Sequence, residues 1–216
     1  MISIMPRTIA IADIHGCFDA LASILRAIDP KHDDTIICLG DFVDRGADSK
    51  GVLGMLIKLT GDCRLVPILG NHDEMMLNAR ESKAAFREWM EFGGITTLDS
   101  YEASGLINIV PDEHFIFLKS CLSCFETDTH FFVHANYDPL LPLDQQDART
   151  LRWLSLQDCV PRPHVSGKIA VVGHTPQSEV LNLGHLICLD TDCGFGGPLT
   201  AMEMESREVW QARTMQ

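Results

Sequence analysis

No apolar run in this chain approaches the ~18–20 residues that a bilayer-spanning helix needs, so no membrane anchor is expected. Residues 1–13 lack the charged, apolar and small-residue order of a signal peptide, and the expected location is the cytoplasm. Repeats, low-complexity tracts and long Gly/Ser/Pro linkers are also missing, so residues 1–216 are read as one domain. Basic charge is scarce, with 17 Lys and Arg against 30 Asp and Glu and a net charge of −13. That balance repels a nucleic-acid backbone at long range and offers no polybasic patch to a membrane, so neither partner is expected. A phosphorylated substrate stays open, because a local metal or arginine inverts the field at one site.

Against these absences stand an apolar content of 46% and a charged content of 22%, both ordinary for a globular protein. A chain this long buries roughly 70% of its unfolded surface and needs no disulfide or structural metal to hold a core. The eight cysteines, among them Cys38, Cys63 and Cys188 in apolar surroundings, are read as free thiols packed like small hydrophobes. Cys121-Leu122-Ser123-Cys124 has redox spacing, but no second such pair answers it. Ser166-Gly167-Lys168 is no P-loop, because the earlier glycine it requires is Arg162.

Short β-branched runs bounded by Gly, Asp or Asn predict buried strands at Thr8–Ala12, Thr35–Leu39, Leu65–Leu69, His130–Val133, Ile169–Val172, His185–Leu189 and Leu199–Met204. Helical spacing of Leu21, Ile24, Leu25 and Ile28, and of Val52, Leu53, Leu56 and Ile57, places helices between the first three strands. Composition predicts a further helix from Glu74 to Trp89, with Trp89-Met90 as packing. The order gives an α/β fold: a βαβαβ half followed by a strand-rich half. Residues from about Phe92 to Asp128 are expected to wall or cap the substrate.

Polar residues follow the apolar runs in a pattern. Asp13-Ile14-His15-Gly16, Gly40-Asp41-Phe42-Val43-Asp44-Arg45-Gly46, Gly70-Asn71-His72-Asp73, His134 and Gly173-His174-Thr175 each close a predicted strand. Ligands of α/β sheets gather outside the carboxyl ends of the strands, so these side chains should converge. Asp, His and Asn without thiolates favour ions such as Mn2+, Fe2+ or Zn2+. Asp13, His15, Asp41, Asn71, His134 and His174 are too many for one open ion and suit two divalent ions bridged by a carboxylate. Two ions roughly 3.5–4 Å apart clamp an in-line displacement at phosphorus and acidify a shared water. His72, oriented by a carboxylate such as Asp44, can protonate the leaving alkoxide, and Arg45 offers a planar fork for the phosphoryl oxygens.

These motifs resemble those of the metallophosphoesterases and, more narrowly, of the phosphoprotein phosphatase family in its compact bacterial and phage-type form. Gly40 through Ser49 spell GDxVDRGxxS, and Asp190-Thr191 with Gly196-Gly197-Pro198-Leu199-Thr200-Ala201 is similar to the family's closing segment. The resemblance implies a central β-sandwich of mixed sheets flanked by helices. It implies two metals, one on Asp13, His15 and Asp41 and the other on Asp41, Asn71, His134 and His174, with Mn2+ as the expected ion and Fe or Zn as alternatives. It also implies His72 as proton donor, Asp44 behind it, and Arg45 on phosphate.

Two positions depart from the family pattern. Asn136 stands where a glycine is usual, and asparagine tolerates a left-handed backbone. Ser155 stands where a second phosphate-binding arginine is usual, and Arg152 is the expected substitute, ahead of Arg149 and Arg162. His32, His114, His130, His164 and His185 lie outside the motifs and are read as structural or surface residues, His164 being the one to watch for a substrate contact. The expected function is that of a metal-dependent phosphomonoesterase in which a two-metal-activated water attacks phosphorus directly. Its substrate is expected to be phosphoserine or phosphothreonine in a protein, or a small phosphoester. The alternative on the same fold is hydrolysis of dinucleoside polyphosphates or removal of pyrophosphate from nucleotide or RNA ends. A binding module that had lost catalysis would have lost its acid or its ligands, and all of them are present.

Overall fold

The computed structural model describes residues 6–102 and 106–214. The first half alternates as the sequence predicts: β1 (Thr8–Ile11), α1 (Phe18–Ile28), β2 (Thr35–Cys38), α2 (Ser49–Leu59), β3 (Arg64–Pro67) and α3 (Asn71–Glu81). Then come α4 (Lys83–Glu91), α5 (Gly94–Ser100) and α6 (Asp112–Ser120). The second half holds β4 (Cys124–Glu126), β5 (His130–Val133), α7 (Ala148–Trp153), β6 (Ile169–Val172), β7 (Leu181–Asn182), β8 (Leu186–Cys188), β9 (Leu199–Glu203) and β10 (Val209–Ala212).

The strands form two five-stranded mixed sheets, ordered β10-β9-β1-β2-β3 and β4-β5-β6-β8-β7. β1, β2 and β3 run parallel, with Ile9 opposite Ile36 and Ile36 opposite Leu65, so their carboxyl ends share one edge. β5, β6 and β8 are likewise parallel, with Phe131 opposite Ala170 and Ala170 opposite Leu186.

Alternation along the strands builds three apolar layers. Ile9, Ile11, Ile36 and Cys38 face outward onto Leu21, Ile24, Val52, Leu53 and Leu56 of α1 and α2. Ala10, Ala12, Ile37, Leu39 and Val66 face inward onto Phe132, Val171 and Ile187 of the second sheet. The far face of that sheet, Phe131, Val133, Ala170 and Val172, is covered by Tyr137, Leu151 and Leu156. Strands buried on both faces read as continuous apolar runs rather than alternating ones, and for that reason they stood out in the sequence.

The helix expected from Glu74 to Trp89 is two helices, and it starts earlier. Ser82 adopts an extended conformation (φ −151°, ψ 148°), ends α3, and caps α4 by accepting a hydrogen bond from Ala85 N at 3.1 Å. At the other end Asp73 accepts from Gly70 N at 3.1 Å, which starts α3 at Asn71. The described residues hold no helix long and apolar enough to cross a membrane.

Candidate active site

The carboxyl ends of β1, β2, β3, β5 and β6 deliver Asp13, Asp41, Asn71, His134 and His174 to one edge of the sandwich. His15, Asp41, Asp44, Arg45 and His174 all have positive φ, between 46° and 71°. Non-glycine residues adopt this conformation rarely, and five in one cluster mark turns held by their surroundings for a purpose other than stability.

Asp41 lies at the centre, 2% exposed. Its Oδ1 is 3.5 Å from His134 Nε2 and its Oδ2 is 3.4 Å from His15 Nε2, so the carboxylate faces two separate imidazoles. Oδ1 also accepts from the His72 backbone N at 2.9 Å. Burial works against charge on Asp41, yet the histidines around it hold its carboxyl below the usual range.

On one side stand Asn71, His134 and His174. His134 Nδ1 donates to the Leu39 carbonyl at 2.7 Å, which fixes the tautomer and turns the Nε2 lone pair inward, 3.0 Å from Asn71 Oδ1. His174 Nδ1 is also 3.0 Å from Asn71 Oδ1. Burial lowers the pKa of His134, and that of His174 to about 4, so both rings are neutral. At His134 an acceptor is thus turned on an acceptor, an arrangement that a divalent cation satisfies and that neutral imidazoles and a carboxylate are ready to bind.

On the other side are His15 and Asp13. His15 Nδ1 donates to the Val43 carbonyl at 2.9 Å, again leaving Nε2 to face the site, and burial lowers its pKa to about 3. The Asp13 carboxylate accepts from His174 N at 2.9 and 3.1 Å. Burial first, then the charges of Asp190 and Asp41, push the Asp13 carboxyl up, and Asp190 is pushed up to about 6 by burial. Buried acids that repel one another are relieved by a cation between them or by taking up a proton. Ligating atoms of His15, Asp41 and His72 lie within 4.8 Å of one another, and those of Asp41, His134 and His174 form a second such group. Of the six expected ligands, His15, Asp41, His134 and His174 fall in these groups with Asp41 common to both, Asn71 meets His134 and His174, and Asp13 is in neither group and joins the cluster through the His174 backbone N. The donor chemistry fits two divalent ions, which would supply an activated water and neutralise phosphoryl charge.

His72 Nδ1 is 2.7 Å from Asp44 Oδ2, and Asp44 is fully buried. Burial opposes protonation of His72, but the charge of Asp41 and the hydrogen bond and charge of Asp44 raise its pKa above the ordinary value. Arg45 donates to His72 Nε2 at 3.1 Å and to His15 Nε2 at 2.8 Å, so its fork spans the mouth of the cluster. Its guanidinium lies 4.7 Å from the ring centre of Phe195, which is 70% exposed.

Arg152, the expected second phosphate ligand, is paired with Glu74 and donates to Ser123 Oγ at 3.1 Å. It lines a cleft of about 460 Å3 with Glu74, Asp147, Arg149 and Trp153. Asn136 needs no left-handed backbone: its side chain accepts from Tyr137 N and donates to the Cys159 carbonyl, both at 2.8 Å. Both ring nitrogens of His164 are engaged, with Leu141 O and Ser166 Oγ at 2.8 Å, beside Phe131 and Tyr137, so it is a core histidine. The Cys121 and Cys124 thiols bond to different carbonyls, of Phe117 and Leu143, and do not pair.

Three residues were given no role at the site by the sequence: Trp89, read as packing, and Thr97, whose side chains bond to Asp44, and Asp190, quoted only as part of the closing segment, whose charge bears on Asp13. Asp190 follows the strand β8 as Asp13 follows β1, a signal that was available. Trp89 and Thr97 carried none.

The profile of the family described as calcineurin-like phosphoesterase matches residues 6–203. Serine/threonine-protein phosphatase 1 of Salmonella typhimurium is 29% identical over 90% of each chain. A symmetrical bis(5'-nucleosyl)-tetraphosphatase of Dechloromonas aromatica is 29% identical over 94% of this chain and 95% of its own. Among solved structures, a cold-active protein-tyrosine phosphatase of a psychrophilic Shewanella superposes with a TM-score of 0.70 at 16% identity, over 96% of this chain and 80% of its own, a likeness of fold.

Proposed function

Because this chain belongs to the calcineurin-like phosphoesterase family and hydrolyses phosphoesters, we propose that its substrates are phosphoserine and phosphothreonine monoesters in proteins. The observation that carries this reading is the buried Asp44–His72 pair, with Arg45 on His72 Nε2 and a His72 ring nitrogen within 4.8 Å of the Asp41 carboxylate. Alkoxides are poor leaving groups, so an enzyme for alkyl monoesters gains most from a positioned acid. Asp13, His15 and Asp41 would hold one divalent ion and Asp41, Asn71, His134 and His174 a second, Mn2+ being the expected metal.

Arg45 would take the non-bridging phosphoryl oxygens with its two terminal nitrogens, displacing its present contacts to His15 and His72. His72, its Nδ1 proton held by Asp44, would take up a proton on Nε2 once Arg45 has left that nitrogen, its raised pKa favouring the charged ring. It would then give that proton to the departing serine or threonine oxygen. The spelling Asp44-Arg45-Gly46-x-x-Ser49 and the Salmonella relative support a protein substrate. Cleavage of dinucleoside polyphosphates is the second reading, supported by the Dechloromonas relative at the same identity.

Phosphate release from a phosphoserine peptide and cleavage of diadenosine tetraphosphate, measured side by side on Mn2+-loaded protein, separate the two. The first reading expects the higher kcat/KM on the peptide. A clear preference for the dinucleotide would replace it with the second.

A further inference from the structure

We propose that Trp89 and Thr97, on helices outside every motif, are positioning residues for proton donation at His72. The proposal rests on the reading of His72 as general acid and concerns what makes that acid work.

Asp44 has no solvent to orient it, since it is fully buried. Its carboxylate is fixed instead by a closed set of donors. Trp89 Nε1 is shared between the two oxygens, 3.0 Å from Oδ1 and 2.9 Å from Oδ2. Thr97 Oγ1 donates to Oδ1 at 2.7 Å and accepts from the Asp44 backbone N at 2.8 Å. His72 Nδ1 takes the remaining direction on Oδ2 at 2.7 Å. Ser49 Oγ closes the ring, 2.9 Å from Thr97 Oγ1 and 3.1 Å from Asp44 N.

Trp89 and Thr97 are themselves wholly buried, so neither can turn away. Their donors are neutral: they stabilise charge on Asp44 without competing for the proton. A carboxylate held by His72 alone could rotate about its Cβ–Cγ bond or take up a proton in this dry pocket. In either event the Nδ1–H bond that sets the His72 tautomer is lost, and Nε2 no longer faces the leaving group. An indole N–H across both oxygens and a hydroxyl on one fix the carboxylate plane and leave a single lone pair for imidazole.

The same segment also passes beside the Arg45 backbone. Gly93, between α4 and α5 at φ +106°, lies where a Cβ would be 3.6 Å from Arg45 N. The stretch from Trp89 to Thr97 therefore holds the Asp44 carboxylate and passes beside the Asp44–Arg45 backbone. The region expected to wall the substrate touches the catalytic groups from behind.

The test uses the full Mn2+-loaded chain and two substrates, p-nitrophenyl phosphate, whose leaving group needs little protonation, and phosphoserine, whose alkoxide needs it. Trp89→Phe removes the N–H and keeps an aromatic ring. Thr97→Val removes the hydroxyl at constant shape, and Thr97→Ser keeps it. The proposal expects Trp89→Phe and Thr97→Val to lose roughly 10–100-fold in kcat on phosphoserine, a fraction of the 10²–10⁴ that a full general acid supplies, and under about 3-fold on p-nitrophenyl phosphate. Thr97→Ser should restore most of what Thr97→Val loses. Equal losses on both substrates, while His72→Asn still separates them, would overturn the proposal and leave the two residues as packing. If His72→Asn does not separate the substrates, the general acid itself is wrong and the proposal falls with it. Should Trp89→Phe fail to fold, the Thr97 pair decides.

Discussion

Gly173→Ala should disable one half of the metal centre while leaving the other half built. Gly173 packs against Asp13 so closely that an added Cβ would sit 1.9 Å from Asp13 Oδ1 and 3.1 Å from its Cγ. Since real Cβ atoms essentially never come under 3.0 Å, the oxygen must retreat by about 1.1 Å. The Asp13 carboxylate is tied to His174 N by hydrogen bonds of 2.9 and 3.1 Å, and the retreat breaks at least one of them. A 1 Å misplacement of a catalytic group costs on the order of 10²-fold in rate. The nearest atoms to the added Cβ all belong to Asp13, and Gly173 meets His134 through its backbone N, which donates to the His134 carbonyl at 2.8 Å, so the imidazole of His134 and the amide of Asn71 are disturbed less than Asp13. Metal analysis of the purified variant should find one tightly held ion per chain instead of two, with kcat on p-nitrophenyl phosphate down on the order of 10²-fold. Two ions and wild-type turnover in Gly173→Ala would refute the assignment of Asp13.

Asp41→Asn, which removes the carboxylate shared by His15 and His134, should leave no more than one bound ion and no turnover on any phosphoester; full turnover with two ions would mean that Asp41 does not bridge. Arg45→Lys keeps the charge but loses the fork and the stack on Phe195. Losing one charge-assisted hydrogen bond, about 1.5–3 kcal/mol, lowers kcat/KM by roughly 10–100-fold, with the thermal midpoint little changed. Far from the site, Asp34→Asn should cost about 1.5–3 kcal/mol of stability, or roughly 3–12 °C in Tm, because it breaks a buried pair with Arg7 at 2.5 Å. Burial opposes charge on Asp34, but the Arg7 hydrogen bond outweighs it and holds the carboxyl below its ordinary pKa. Between the lowered folded value and the ordinary value near 3.9 the unfolded chain binds more protons, so this stability is full above about pH 4 and fades as pH falls. The Tm gap between wild type and Asp34→Asn should therefore close below about pH 4; a gap that widens there would contradict the sign.

Asp34 also shows where the sequence could mislead. Asp33-Asp34 reads as a solvated turn, yet Asp34 is 2% exposed, because Arg7 reaches it from 27 residues away and nothing local announces the pair. Four of the five motif-bearing strands, β1, β2, β5 and β6, were legible because two-face burial writes continuous apolar runs, while the edge strand β3 was legible from the apolar run Leu65–Leu69. Edge strands β4, β7 and β10 were not legible: half-exposed segments such as Val209–Ala212 carry little apolar signal. The break at Ser82 was visible only as a cap residue inside a helical composition. Trp89 and Thr97 were the least readable, because an indole N–H aimed at a carboxylate 45 residues away looks in sequence like any core tryptophan. Arg152 was preferred over Arg149 and Arg162 as the second phosphate ligand, and its partner Glu74 comes from α3, a contact that spacing could not reveal.

The central claim is that Asp13, His15, Asp41, Asn71, His134 and His174 hold two divalent ions that the reaction requires. Its most direct test is hydrolysis of p-nitrophenyl phosphate by chelator-stripped protein, with Mn2+, Mg2+, Zn2+ or nothing returned and bound metal counted in each sample. The account predicts no turnover in the stripped protein and recovery with Mn2+ as occupancy reaches two ions per chain. Full turnover by folded, metal-free protein, or recovery complete at a single ion, would contradict it.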